Sequence, residues 1–175
     1  SCHLRNVPFP TEGDPLRELR VMKSSFSSIL KVIRGAELLA PEPMGKMDVL
    51  VAGGLIADIR PGPMAFGSMD MEIIDGTGML LVPGFIDAHV HILGGGGEGG
   101  FATRTPEILL SDLTLGGVTT VVGCLGTDGT TRTLPSLLAK ARGLEIEGIT
   151  TFIYTGSYQV PVGTLTQSVQ DDLIL

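Results

Sequence analysis

The chain has 175 residues and carries 12 Lys and Arg against 19 Asp and Glu, a formal charge of −7. That length suits one ordinary domain or two small ones, and a hydrophobic content of 43% excludes a disordered polyelectrolyte and predicts a packed core. The acidic balance argues against a nucleic-acid binder, which presents a basic face, and the lack of any uninterrupted apolar run of about 18 residues argues against a membrane span.

Cys2 and Cys124 fall in different kinds of segment, which argues against a disulfide and for a reducing, cytoplasmic setting. Glycine is the outlier. It fills 25 of 175 positions, about twice the usual share of roughly 7%. Such density marks tight turns or backbone held close to a ligand.

Residues 1–27 have mixed charge, three prolines and no sustained period, and they lack the apolar run of a secretory signal. They are expected to form a disordered tail without function. From 28 to 82 short apolar runs alternate with turn residues. Ile29–Arg34, Asp48–Ala52, Leu55–Arg60, Met71–Asp75 and Met79–Val82 are strand-like. The Gly53-Gly54 loop suits a primed hairpin turn. A small antiparallel β-domain is expected, with no chemistry in it.

From 83 to 175 the pattern becomes β/α. Phe85–His91 is expected to be a strand, followed by a Gly-rich loop. Thr105, Pro106 and Glu107 have the order of an N-cap, a first helical position and a first turn, and Gly116-Gly117 would end that helix. Val118–Cys124 is a second strand, and residues 134–147 are a second helix closed by Gly148. Ile149–Thr155 is a third strand, and a third helix begins near Thr166. Strand starts about 30 residues apart match a βαβ unit. Near-continuous apolar runs imply a parallel sheet buried on both faces. In a doubly wound sheet or a (β/α)8 barrel, ligands gather at the C-terminal ends of such strands. A whole barrel needs about 250 residues; fewer than three of its eight units would be present here, so a truncated chain is expected.

Asp87, His89 and His91 recur at spacing two in FIDAHVHILGGGGEGG. Alternate strand residues share a face, which puts the two imidazoles about 6.6 Å apart at Cα. Two such rings can converge on zinc, and Asp87 could orient one of them. The alternative is a surface strand with incidental histidines. The chain has only three histidines, and two stand together at a strand end, which favours a metal.

Other residues keep two readings. The 94–100 loop lacks the Gly-Lys-Ser/Thr ending of a phosphate loop, and Glu98 would repel phosphate; it is a ligand loop or a flexible surface loop. Thr127 and Asp128 in GTDG are site residues or a turn with a helix cap. Tyr158 is a site residue or a loop cover. Cys124 is most simply a small buried hydrophobe. Lys140, Arg142, Glu145 and Glu147 are a solvated helix face.

PGFIDAHVH resembles the first-strand signature of the amidohydrolase superfamily, metal-dependent hydrolases built on a (β/α)8 barrel with a small β-sandwich domain. DVLVAGGLIADI resembles the segment that precedes it. HVHILGGGGEGGFATRTPE, GVTTVVGCLGTDGTTR, LLAKARGLEIEGI and YTGSYQVP narrow the resemblance, over residues 29–175, to the isoaspartyl (β-aspartyl) dipeptidases.

That resemblance implies an α/β fold. A small N-terminal antiparallel β-sandwich domain (28–82) would precede the first two to three units of a TIM-type barrel (83–175). It implies two divalent metals, normally zinc, with a hydroxide between them, and His89 and His91 on the more buried metal. Gly96, Gly97 and Glu98 would contact a small isoaspartyl dipeptide, Glu98 accepting its α-ammonium. Thr127 would add a substrate contact, and Tyr158 would polarise the scissile carbonyl.

In that family a carboxylated lysine, two further histidines, an acid/base aspartate and substrate-gripping arginines come from later strands. The 175 residues are therefore expected to be inactive alone, and the full-length protein to be a homo-oligomer. Two rival expectations stand beside this one. The first is a cyclic amidase of the dihydroorotase or hydantoinase type. The second is a noncatalytic assembly module.

Overall fold

The computed structural model describes residues 29–175, in two compact units that divide between Pro83 and Gly84. The expected tail at 1–27 lies outside the described residues. Among the described residues, no helix is long and apolar enough to cross a membrane.

The first unit is a five-stranded sheet. Its strands are β1 (Leu30–Leu39), β2 (Pro43–Ala52), β3 (Leu55–Arg60), β4 (Glu72–Asp75) and β5 (Leu80–Leu81). The order is β3-β2-β1-β4, with β5 also on β1. Gly53-Gly54 closes the β2–β3 hairpin, with Ala52 opposite Leu55. β1 and β2 are antiparallel, Val32 facing Leu50.

The expected purely antiparallel arrangement is corrected here: β4 and β5 run parallel to β1. A tight hairpin forces antiparallel pairing, whereas a longer connection lets the chain return in the same direction. Residues 61–71 are such a connection. Val32, Ala36, Leu38, Val49 and Met64 form the buried interior. Asp48 is only 2% exposed. Its carboxylate accepts from the Gly35 N–H at 2.9 Å and the Met64 N–H at 2.8 Å. That satisfies two donors that burial would otherwise leave unpaired.

The second unit holds a parallel sheet of order β6-β7-β8, made of β6 (Phe85–Val90), β7 (Val118–Gly123) and β8 (Thr150–Ile153). Its helices are α1 (Leu110–Leu115), α2 (Leu134–Glu147) and α3 (Val169–Asp172). α1 packs on β7 and α2 on β8. The core between sheet and helices is built on Ile92, Val121, Leu137 and Leu144. At α2 the local signals suffice. The Thr133 hydroxyl accepts from the Ser136 N–H, Pro135 stands in the first turn, and Gly148 closes the helix at φ +106°.

Two expectations are corrected in this unit, and the third helix opens near Thr166 as expected. α1 starts at Leu110, not after Thr105, because Thr105 is committed elsewhere: its hydroxyl accepts from the Gly95 N–H at 2.7 Å. Residues 104–109 form no regular element. α3 begins after a Ser168 cap, two residues beyond Thr166. The sheet is not buried on both faces: Phe85, Ile86 and Phe152 are all exposed.

Candidate active site

The C-terminal end of β6 carries the histidine pair. Strand alternation brings His89 and His91 to one side, with ring centroids 5.4 Å apart and planes at 85°. The His91 Nδ1 lies 3.3 Å from the Cys124 carbonyl oxygen. With its N–H directed there, the Nε2 lone pair stays free for an external electrophile. Asp87 accepts from the His89 backbone N–H at 3.1 Å, so its recorded bond fixes the strand end and not an imidazole.

The Cys124 sulfur is 3.4 Å from the same Nδ1. Among the described residues, donor atoms of His89, His91 and Cys124 lie within 4.8 Å of one another. Burial pushes the Cys124 thiol upward, and the Asp87 charge adds to the shift. The sulfur therefore stays protonated at neutral pH, as a buried packing residue does.

The Gly-rich loop leaves β6 directly beneath these rings. A Cβ built at Gly95 would stand 3.3 Å from His91 Cδ2, and one at Gly126 would stand 3.5 Å from His91 Cε1. The loops after β6 and β7 thus flank one imidazole. They meet again further out, where the Thr127 hydroxyl donates to Glu98 Oε1 at 2.5 Å. That bond is the main reason the Glu98 carboxyl sits below its ordinary value; its own backbone N–H and the His91 charge contribute less.

Glu98, Phe101, Arg104, Thr127, Asp128 and Thr131 line a hollow of about 390 Å³. One wall is a small network. Arg104 donates to Thr131 Oγ1 at 2.6 Å and pairs with Asp128 at 3.5 Å. Asp128 accepts from the Thr131 N–H and hydroxyl, which hold its carboxyl below the usual range. The turn reading of Thr127-Asp128 holds at Asp128, whose carboxylate caps the turn, while the Thr127 hydroxyl is engaged with Glu98.

The structure brings Glu98 and Thr127 together and sets Gly97 beside Asp128 and Arg104. Gly96 lies one residue deeper, against the Thr103 carbonyl. Tyr158 stands 74% exposed on the loop after β8. Tyr154 borders the histidines, its ring 6.5 Å from His89 and its hydroxyl donating to the Ala88 carbonyl at 3.1 Å.

Arg132 is the residue that sequence reasoning missed. It is 6% exposed and donates to the Gly95, Gly96 and Thr105 carbonyls. Nothing local marks it, since those partners lie 27–37 residues away.

No family model matches the chain. It is similar to the crystal structure of a beta-aspartyl dipeptidase from Fervidobacterium islandicum AW-1 in complex with a beta-Asp-Leu dipeptide, at 53% identity and a TM-score of 0.77. The match covers 85% of this chain and 38% of that one. A dihydroorotase of Staphylococcus aureus is 34% identical over 92 residues, 53% of this chain and 20% of the relative. Dihydropyrimidinase 1 of Caenorhabditis briggsae is 41% identical over 61 residues, 35% of this chain and 12% of the relative. The chain therefore spans well under half the length of each of these three proteins.

Proposed function

From a chain whose described residues resemble the beta-aspartyl dipeptidases within the amidohydrolase superfamily, we propose that residues 84–175 form the substrate-recognition side of a metal-dependent dipeptidase site. The substrate is a dipeptide joined through the β-carboxyl of aspartate. The sheet is the opening part of a (β/α)8 barrel, preceded by the β-domain.

The donor set fits a divalent metal. His91 has its Nδ1 occupied by a carbonyl and its Nε2 free, and His89 stands beside it. Neutral imidazoles of this kind suit zinc. When bound, two such metals supply Lewis-acid activation of water and of the amide carbonyl. Two imidazoles are only part of a zinc shell, so the 175 residues by themselves are expected not to turn over substrate.

The chain's own residues do the selecting. Glu98 accepts the free α-ammonium of the isoaspartyl residue through a charge-assisted hydrogen bond. Thr127 fixes that carboxylate and keeps it ionised. Gly96 and Gly97 let the backbone approach the substrate closely. Tyr158 polarises the scissile carbonyl.

The Thr127–Glu98 hydrogen bond, next to the loop that flanks His91, carries this reading. It holds a carboxylate where a substrate with a free amine can present its amide to the histidine pair. The cyclic-amidase reading draws on the two curated relatives, but such rings offer no α-ammonium to Glu98.

The test uses the natural protein with zinc and β-Asp-Leu. Cleavage is expected, and N-acetylation of the substrate should abolish it. Equal turnover of the acetylated peptide, or turnover of dihydroorotate in its place, would overturn the reading. Tyr158→Phe should lower kcat by roughly 10²–10³, the loss seen when one oxyanion donor is removed.

A further inference from the structure

Arg132 reaches back from the segment between β7 and α2 to the 94–97 half of the Gly-rich loop. Its Nη1 donates to the Gly95 carbonyl at 3.0 Å and the Gly96 carbonyl at 3.4 Å; its Nη2 donates to the Thr105 carbonyl at 2.7 Å. Gly95 and Thr105 are also bonded to each other, the Thr105 N–H donating to the Gly95 carbonyl at 3.0 Å. One guanidinium therefore fastens both ends of the loop.

The side chain is 6% exposed, and among the described residues it has no carboxylate partner within salt-bridge distance. Burying a cation on neutral carbonyls is costly. A planar fork reaching three acceptors is an arrangement that lysine cannot reproduce.

The loop it holds has little freedom. A Cβ at Gly94 would fall 2.3 Å from the Thr105 carbonyl oxygen, and one at Gly96 would fall 2.3 Å from that of Thr103. Burial follows the same division: residues 94–97 are buried or half-buried and 98–100 are exposed. The loop thus has a buried root and an exposed tip, and Glu98 is the first residue of the tip.

We propose that Arg132 is a positioning residue: by gripping the Gly95, Gly96 and Thr105 carbonyls it sets where the Glu98 carboxylate stands for an incoming ammonium. The activity part of this inference rests on the reading of Glu98 given above. The loop-ordering part does not.

Arg132→Met keeps the stem and removes every donor, and Arg132→Lys keeps the charge but not the fork. Both are made in the natural protein. Arg132→Met should raise KM for β-Asp-Leu about tenfold, the scale of one hydrogen bond to a charged group. It should change kcat by less than about threefold, since Glu98 grips ground state and transition state alike. Arg132→Lys should fall between. In a Glu98→Gln background, Arg132→Met should add almost nothing, because its effect runs through Glu98.

Hydrogen exchange supplies the independent arm. The Gly95 and Thr105 amides should exchange at least tenfold faster in Arg132→Met while those of α2 keep their rates. Should that variant fail to fold, Arg132→Lys is read the same way. Unchanged exchange at Gly95 and Thr105 overturns the inference, as do KM effects that add fully to those of Glu98→Gln. A wild-type protein that does not cleave the dipeptide overturns the function reading instead, and the exchange rates then decide the role of Arg132.

Discussion

Each unit buries one charged side chain among its described residues, and the two are mirror images in chemistry. In the β-sheet unit Asp48 collects N–H groups, from Gly35 and Met64. In the α/β unit Arg132 collects carbonyls, from Gly95, Gly96 and Thr105. Both fasten irregular backbone that no ladder can satisfy. The difference lies in what hangs from the fastened segment. Gly35 and Met64 lead to no cluster of reactive groups, whereas Gly95-Gly96 leads in two residues to Glu98. The same device serves stability in one unit and the placement of a reactive group in the other.

The comparison breaks most sharply at Asp48. Asp48→Ala would strand two buried N–H groups at about 1–3 kcal/mol each. A total loss of about 2–6 kcal/mol is therefore expected in denaturant melts, with the hydrogen bonds around Glu98 untouched by NMR. A loss under about 1 kcal/mol would mean the carboxylate is no fastener.

Gly96→Ala comes next. Its φ of +72° already disfavours a side chain, and the new Cβ would meet the Thr103 carbonyl. The expected cost is about 3 kcal/mol, from left-handed strain of about 1–2 kcal/mol plus backbone displacement. Gly54→Ala is its control, with a similar φ of +81° but nothing within 4 Å of the new Cβ. It should cost about 1 kcal/mol. Equal costs at the two sites would show that the loop is no more tightly packed than the hairpin.

The smallest effect is one of pH. Thr127 holds the Glu98 carboxyl below its ordinary value. A group depressed in this way contributes above its unfolded pKa and loses that contribution as pH falls through its folded one. Thr127→Val should return the Glu98 carboxyl upward toward its ordinary value, so KM for the dipeptide begins to rise at a higher pH than in wild type. Coincident acid limbs in a KM–pH profile would remove the hydroxyl from the argument.

Legibility followed the range of the interactions. The β/α order of residues 85–155 and the limits of α2 were readable, because apolar runs, Thr133, Pro135 and Gly148 act within a few residues. The His89/His91 face was readable from strand alternation alone, and the likeness to beta-aspartyl dipeptidases from the motifs around it. The start of α1 was misread because Thr105-Pro106-Glu107 satisfies a local capping pattern while Thr105 is engaged ten residues away at Gly95. The direction of β4 depends on the path of residues 61–71, which no period encodes. Asp48 and Arg132 look like surface charges in sequence, and only contacts 13 to 37 residues away bury them. Tyr154 next to His89 was available to strand alternation, continued to the end of β8, but drew no notice beside Tyr158.

The parallel sheet of the second unit has a single interior strand. β7 is paired on both sides, while among the described residues β6 and β8 each pair only with β7. Phe85 and Ile86 on one and Phe152 on the other stand largely in solvent. Bare strand edges flanked by apolar side chains recruit further strands, from the same polypeptide or from another copy. The stability of this unit thus depends on what covers those edges, and where a second copy does so the melting temperature should rise with protein concentration.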